Sequence, residues 1–271
     1  DGEQFGPIID PYNGQADLAA KVFRHVSNAF AEDPLRLLRI ARFAARFLQF
    51  SVADETLVAL KAIVQAGELN ALSAERIWQE LARGLVASKP MHMFQVLLNT
   101  GAAKTILSST LNTQLLQESD RQILITHLDS VGNRLDDRCA IILMKVPASE
   151  IRAWAECVRM PTEVRDFSEI FSELISFINK CNSTYKAVDV LAWLNRADVW
   201  RKPDRGQALL DLAEKLGFKA LPLLAAVRQA QGLNTAEIIA SVEAQDRSNG
   251  ERIGGAFESA RLAAITAALN S

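Results

Sequence analysis

In the stretch AFAEDPLRLLRIARFAARF, residues 29–47, four arginines recur at helical spacing: Arg36, Arg39, Arg42 and Arg46, just after the carboxylates Glu32 and Asp33. At about 100° per residue they fall within an arc of roughly 120°, opposite Leu37, Leu38, Ile40, Ala41, Ala44 and Ala45. Such a seam is either the solvated face of a buried helix or the cationic wall of a groove. Phe43 and Phe47 flank it and favour the groove. Guanidinium stays charged and offers a rigid fork of donors, so arginines held in a groove suit phosphate. Asp33 and Arg36 are three residues apart, neighbours on one helical face, and present an acceptor beside a donor. Cytosine and adenine share an exocyclic amine next to an unprotonated ring nitrogen, which matches that pair. Uracil and guanine place a carbonyl and an N–H there and reverse both bonds, at about 1–3 kcal/mol for each buried partner left unsatisfied. An Asp–Arg pair can therefore select C and A without a nucleic-acid template.

The elements that must carry this seam read as helices. Asp33 followed by Pro34 is a helix start, with Asp as the cap and Pro at the first helical position. A second helix is expected over 54–65, stopping at Gly67, a third after Ser73, and a fourth between Ser88 and Gly101. Further helices are expected near 112–119, 120–128, 136–145, 149–158, 162–179, 185–198, 204–216, 219–231 and 235–269. Strand character is confined to residues 5–26, where FGPII and KVFRHV bracket the turn signal DPYNG; two short strands need partners, expected upstream. The fold class is all-α: irregular helical neck, body and tail domains with a short β remnant of an α/β domain in front.

Composition bounds the function. The formal net charge is −2, so nucleic-acid contact must come from a local stripe. Cys139, Cys157 and Cys181 are isolated and read as core thiols. His25, His92 and His127 lack metal-ligand spacing. No apolar run approaches the roughly 18 residues that span a bilayer, and no signal peptide opens the chain, so a cytoplasmic protein with no membrane partner is expected. The opening DGEQFGPIIDPYNGQADL reads as the middle of a domain, and a fragment of a longer chain is expected.

Three stretches in order, IIDPYNGQADL, RHVSNAFAEDPLRLLRIARFAARF and LSAERIWQELARGL, resemble successive motifs of the bacterial class II CCA-adding enzymes, the tRNA nucleotidyltransferases related to bacterial poly(A) polymerases. The resemblance is dense over residues 6–107 and continues in VRMPTEVRD and LNRADVWRKPDR. It implies a head remnant over 1–28, a base-reading neck over 29–110, and a body and tail that bind RNA over 111–271. Asp33 and Arg36 would read the incoming base of CTP or ATP, Arg39 and Arg42 would hold the nucleotide, and Glu32 would be an outer member of the motif. Asp10, Gly14 and Asp17 match the flexible element joining head to neck. Glu75 and Arg76 match the motif that braces the base-reading helix, although a capping turn after Ser73 explains them equally well. Basic residues around an aromatic, Arg196, Trp200, Arg201, Lys202 and Arg205, could contact RNA, or Trp200 could simply anchor an interhelical turn.

The implied reaction is template-free addition of C and A to the 3′ end of tRNA, with Mg²⁺ held by a DxD pair of the head. That pair and a glycine-rich nucleotide loop are missing from this sequence, so no catalytic or metal-binding residue is assigned and the chain alone is expected to be inactive. Asp136 and Asp137 have no histidines near them in sequence and read as a helix start instead of a phosphohydrolase site. A poly(A) polymerase relative, and a non-catalytic helical RNA-binding module, are the alternatives.

Overall fold

The computed structural model describes residues 8–181, 184–242 and 249–270. It is a helical protein with sixteen α-helices among the described residues and a single two-stranded sheet. The chain divides into two compact units. The first comprises residues 1–138 and 153–161, the second residues 139–152 and 162–271.

The first unit opens on α1 (Gly14–Ala20), whose start is tied by Asp10: the Gly14 and Gln15 amides donate to its two carboxylate oxygens at 2.7 and 2.9 Å. Those bonds, Gln15 first, hold the Asp10 carboxyl below the usual carboxylate range. Strand β1 (Val22–Phe23) pairs in parallel with β2 (Ser51–Val52), in register Val22 to Ser51. Among the described residues the partner of the first strand lies downstream, because α2 (Leu35–Arg46) carries the chain back alongside it. Ile8 and Ile9 of the expected strand FGPII are exposed coil, and its remaining residues lie outside the described ones.

Helix α2 is the centre of this unit. Leu37, Leu38, Ile40, Ala41, Ala44 and Ala45 bury its broad apolar face against α4 (Ala74–Leu85) and α5 (Pro90–Thr100), and the three alanines let neighbouring backbones approach. Around them stand α3 (Asp54–Gln65), ending at Gly67 with φ 75°, and α5, ending at Gly101 with φ 83°; both glycines take the left-handed conformation that stops a helix. α6 (Ala103–Ile106), α7 (Ser109–Leu116) and α8 (Glu118–Ser130) complete the unit, together with parts of α9 (Leu135–Leu143) and α10 (Ala148–Val158). At the α4–α5 contact, a Cβ on Gly84 would lie 2.1 Å from Met93 Sδ, and Met93 is fully buried. We expect Gly84→Ala to cost about 1–3 kcal/mol by overpacking, read as a fall in the denaturant midpoint; an unchanged midpoint would show that Met93 has room to move.

In the second unit α11 (Thr162–Cys181) is largely buried and packs on α13 (Pro203–Lys215), which meets α14 (Leu221–Gln231); α16 (Gly250–Leu269) packs on α14, α12 (Ala187–Arg196) and α15 (Thr235–Ser241). The helix expected over 235–269 is two helices, α15 and α16. Of the three free thiols only Cys139 is buried. Cys157 is exposed on the outer face of α10 and Cys181 is half-buried at the end of α11, so the core-thiol expectation fails for these two.

Candidate nucleotide- and RNA-binding site

Helix α2 begins at Leu35, so Asp33 stands ahead of it in extended conformation (φ −121°, ψ 98°) instead of on the same helical face as Arg36. Its Oδ1 accepts the Leu35 amide at 3.1 Å, while Arg76 of α4 donates to both carboxylate oxygens at 3.2 and 3.4 Å. Ser73 Oγ accepts the Arg76 amide at 3.4 Å, so the capping turn and the brace on Asp33 coexist in one residue. Arg36 has a separate partner. Its Nη1 donates to the Ala29 carbonyl at 2.6 Å, and the guanidinium lies 5.8 Å from the Phe30 ring centroid.

Arg36 lines a cleft of about 770 Å³, walled largely by apolar and aromatic side chains, among them Phe23, Phe30, Phe43, Phe47 and Phe50. Phe23 stacks on Phe50 at 4.9 Å and on Phe43 at 6.2 Å between centroids, so β1 and α2 build the floor together. A groove beside the arginine seam is thus present, and Phe43 and Phe47 are part of its wall.

The rest of the seam divides. Arg39 is exposed, with no carboxylate partner among the described residues. Arg42 is drawn inward: its Nε donates to Glu80 Oε2 of α4 at 2.5 Å, with side chains only 14 % and 8 % exposed, and its guanidinium lies 4.2 Å from the Phe43 centroid. Arg46 is exposed over Phe47. Glu32 ends a short 3₁₀ turn, exposed, and Glu75 is exposed within 3.9 Å of Arg159. Glu80, unmarked by the sequence reading, sits four residues after Arg76 on the same face of α4; that spacing was the available signal.

In the second unit a polar pocket of about 390 Å³ gathers Arg196, Arg201, Lys202 and Arg205, but Trp200 does not line it. Buried Glu169, 2 % exposed, closes it as the acceptor of a two-pronged contact from Arg152 (2.6 and 3.2 Å), with Arg196 at 3.4 Å. Arg201 pairs with Asp198 at 2.9 Å, which holds that carboxyl below its usual range, and Arg205 donates to the Ala197 carbonyl. Trp200 donates to Asn195 Oδ1 at 2.6 Å and is covered by Arg261 at 3.8 Å, the arrangement of a turn anchor. Asp136 and Asp137 open α9 and pair with Arg134.

Among the described residues no three His, Cys, Asp or Glu side chains gather where they could hold a metal ion, so the residues present do not fit the Mg²⁺ that the resemblance implies. No helix among them is long and apolar enough to cross a membrane.

Residues 49–112 match a family model described as "Probable RNA and SrmB- binding site of polymerase A". The chain is 36 % identical, over 99 % of its length and 74 % of the relative's, to the Multifunctional CCA protein of Burkholderia lata. It is 35 % identical to those of Paraburkholderia phymatum and Cupriavidus necator, over 100 % and 98 % of its length and 73 % and 74 % of theirs. Among solved structures, a CCA-adding enzyme in complex with CTP shares the fold with a TM-score of 0.63 at 19 % identity, covering 95 % of this chain and 62 % of that one. A CCA-adding enzyme in apo form I gives 0.62 at 18 % identity, with the same coverage. Identity of this level along nearly the whole chain places it, and the chain belongs to the bacterial CCA-adding enzymes of the tRNA nucleotidyltransferase and poly(A) polymerase family.

Proposed function

We propose that these residues form the base-selecting and RNA-binding part of an enzyme that adds C and A to the 3′ end of tRNA, taking CTP and ATP as substrates. The observation that carries the reading is the setting of Asp33 and Arg36. Each is held by a second group, Arg76 and the Ala29 carbonyl respectively, and Arg36 lines an aromatic cleft large enough for a base. A carboxylate accepts up to about four bonds and a guanidinium donates five, so both keep capacity for a ligand after those contacts. Asp33 accepts the exocyclic amine and Arg36 donates to the ring nitrogen beside it; Phe30 and Phe43 offer faces for stacking. Arg39 continues the seam toward the sugar and phosphates. Fixed partners matter because a template-free enzyme must reject the wrong base by leaving rigid polar groups unpaired.

Phosphoryl transfer in this family is metal-assisted. Among the described residues no three His, Cys, Asp or Glu side chains gather for it, and the sequence holds no Asp-x-Asp, so we assign that step to residues other than these 271. The test is direct. Residues 1–271 should bind tRNA lacking its 3′ end yet incorporate neither CMP nor AMP in the presence of Mg²⁺. Robust incorporation would overturn the division of labour, and failure to bind tRNA would overturn the RNA-binding assignment.

A further inference from the structure

Helices α2 and α4 run in the same sense, and their charged residues meet in rungs. The first is Asp33 with Arg76, at 3.2 Å, and the second is Arg42 with Glu80, at 2.5 Å. In the first, Arg76 of α4 meets a carboxylate just ahead of α2; in the second, Arg42 of α2 meets one on α4. One turn further along, the pattern breaks. Arg46 on α2 and Arg83 on α4 line a common pocket of about 360 Å³ with Arg42, and neither Arg46 nor Arg83 has a carboxylate partner among the described residues. Glu80, three residues before Arg83, is spent on Arg42.

The remaining wall is the turn Val86–Ser88, which links α4 to α5. Neither the amide nor the hydroxyl of Ser88 hydrogen-bonds to a described residue. This turn is held from behind. Arg138, nine-tenths buried, donates Nη1 to the Leu85 carbonyl at 2.7 Å and to the Ala87 carbonyl, and Nε to the Gly132 carbonyl at 2.9 Å. The Leu85 and Ala87 carbonyls are thereby engaged, and a further positive charge stands behind the turn. Two guanidiniums without a carboxylate partner, a third held by Glu80, and the Ser88 hydroxyl and amide make a concavity rich in donors and lined by no carboxylate, where like charges converging without an anion repel.

We propose that the Arg46–Arg83–Ser88 pocket binds a phosphate group, and that an RNA backbone supplies it. A nucleotide triphosphate is the other source of the same chemistry. RNA is favoured because the pocket is separate from the cleft lined by Arg36, with the α2 residues Arg42 and Arg46 in its wall in place of Arg36, Ile40 and Phe43. The site acts as a register point, fixing the RNA strand by charge and fork geometry without reading a base. This inference rests on the reading of the chain as RNA-binding.

The experiment is tRNA binding by residues 1–271 across a series of salt concentrations, alongside CTP binding, for the wild type, Arg46→Ala, Arg83→Ala, Arg83→Lys and the exposed control Lys104→Ala. Both alanine variants should weaken tRNA binding by about tenfold or more and flatten the log–log salt dependence by about 0.7–0.9 per lost contact. Arg83→Lys should keep the slope, Lys104→Ala should bind as the wild type does, and CTP affinity should be unchanged throughout. Circular dichroism checks that the variants fold; both arginines are exposed, so retention is expected. Loss of CTP affinity with tRNA binding intact would overturn the RNA assignment, and no change in either, or an equal loss in Lys104→Ala, would overturn the site. A wild-type chain that does not bind tRNA would overturn the underlying reading as well, which separates that failure from failure of the pocket alone.

Discussion

Replacing Glu80 by Ala is expected to destabilise the first unit by about 3–5 kcal/mol, the range for removing one partner of a buried ion pair. The reason is the state in which it leaves Arg42, whose side chain is only 14 % exposed and whose Nε bond goes to Glu80 at 2.5 Å. Guanidinium does not deprotonate in proteins, so the charge cannot be relieved by neutralisation and must either stay unpaired beside Phe43 or swing out into solvent. Glu80→Gln keeps an acceptor and should cost less. The double variant Arg42→Met with Glu80→Met should recover much of the loss, because burying two charges is itself expensive and an apolar pair of similar volume avoids it. Hydrogen exchange of the α2 and α4 amides during urea titration reads this unit specifically. A loss under about 1 kcal/mol for Glu80→Ala would mean that the pair behaves as a surface one.

That pair also marks where the sequence was readable. Local signals carried the helices: the left-handed glycines at 67 and 101 and the Ser73 cap stand where the pattern put them, because each acts within four or five residues. The seam itself follows from a single period. What it faces does not, since Asp33–Arg76 and Arg42–Glu80 join residues 43 and 38 positions apart, and only the packing of α4 on α2 brings them together. The same holds for β1, whose partner lies beyond α2, and for the aromatic cleft, built from residues 23, 30, 43, 47 and 50. Asp33 was placed one step wrong. Its backbone is extended, so the donor–acceptor pair depends on the fixed positions of Arg76 and Ala29 and not on helical spacing. Around residue 200, charge and aromaticity left RNA contact and a turn anchor both open; in the structure Trp200 bonds to Asn195 as a turn anchor does, and Arg196 and Arg201 stand in ion pairs.

Because Asp33 and Arg36 are each oriented by another group, variants of the readers and of the brace should differ. Arg36→Ala removes the donor that penalises a ring N–H, so discrimination among CTP, ATP, UTP and GTP should fall by about 1–3 kcal/mol, roughly 5- to 150-fold in relative efficiency. Arg76→Ala leaves Asp33 in place and loosens it; selectivity should drop by a smaller factor, with Arg76→Lys restoring part of it as a point charge. Arg39→Ala touches neither reader and should lower efficiency with all four nucleotides alike. The decisive measurement is incorporation efficiency for each of the four nucleotides on tRNA ending in CC, by enzyme in which these residues act together with the metal-binding segment. The account predicts that Arg36→Ala narrows the preference for ATP over GTP and UTP while Arg39→Ala preserves it. An Arg36→Ala enzyme as selective as the wild type would contradict base reading by this pair.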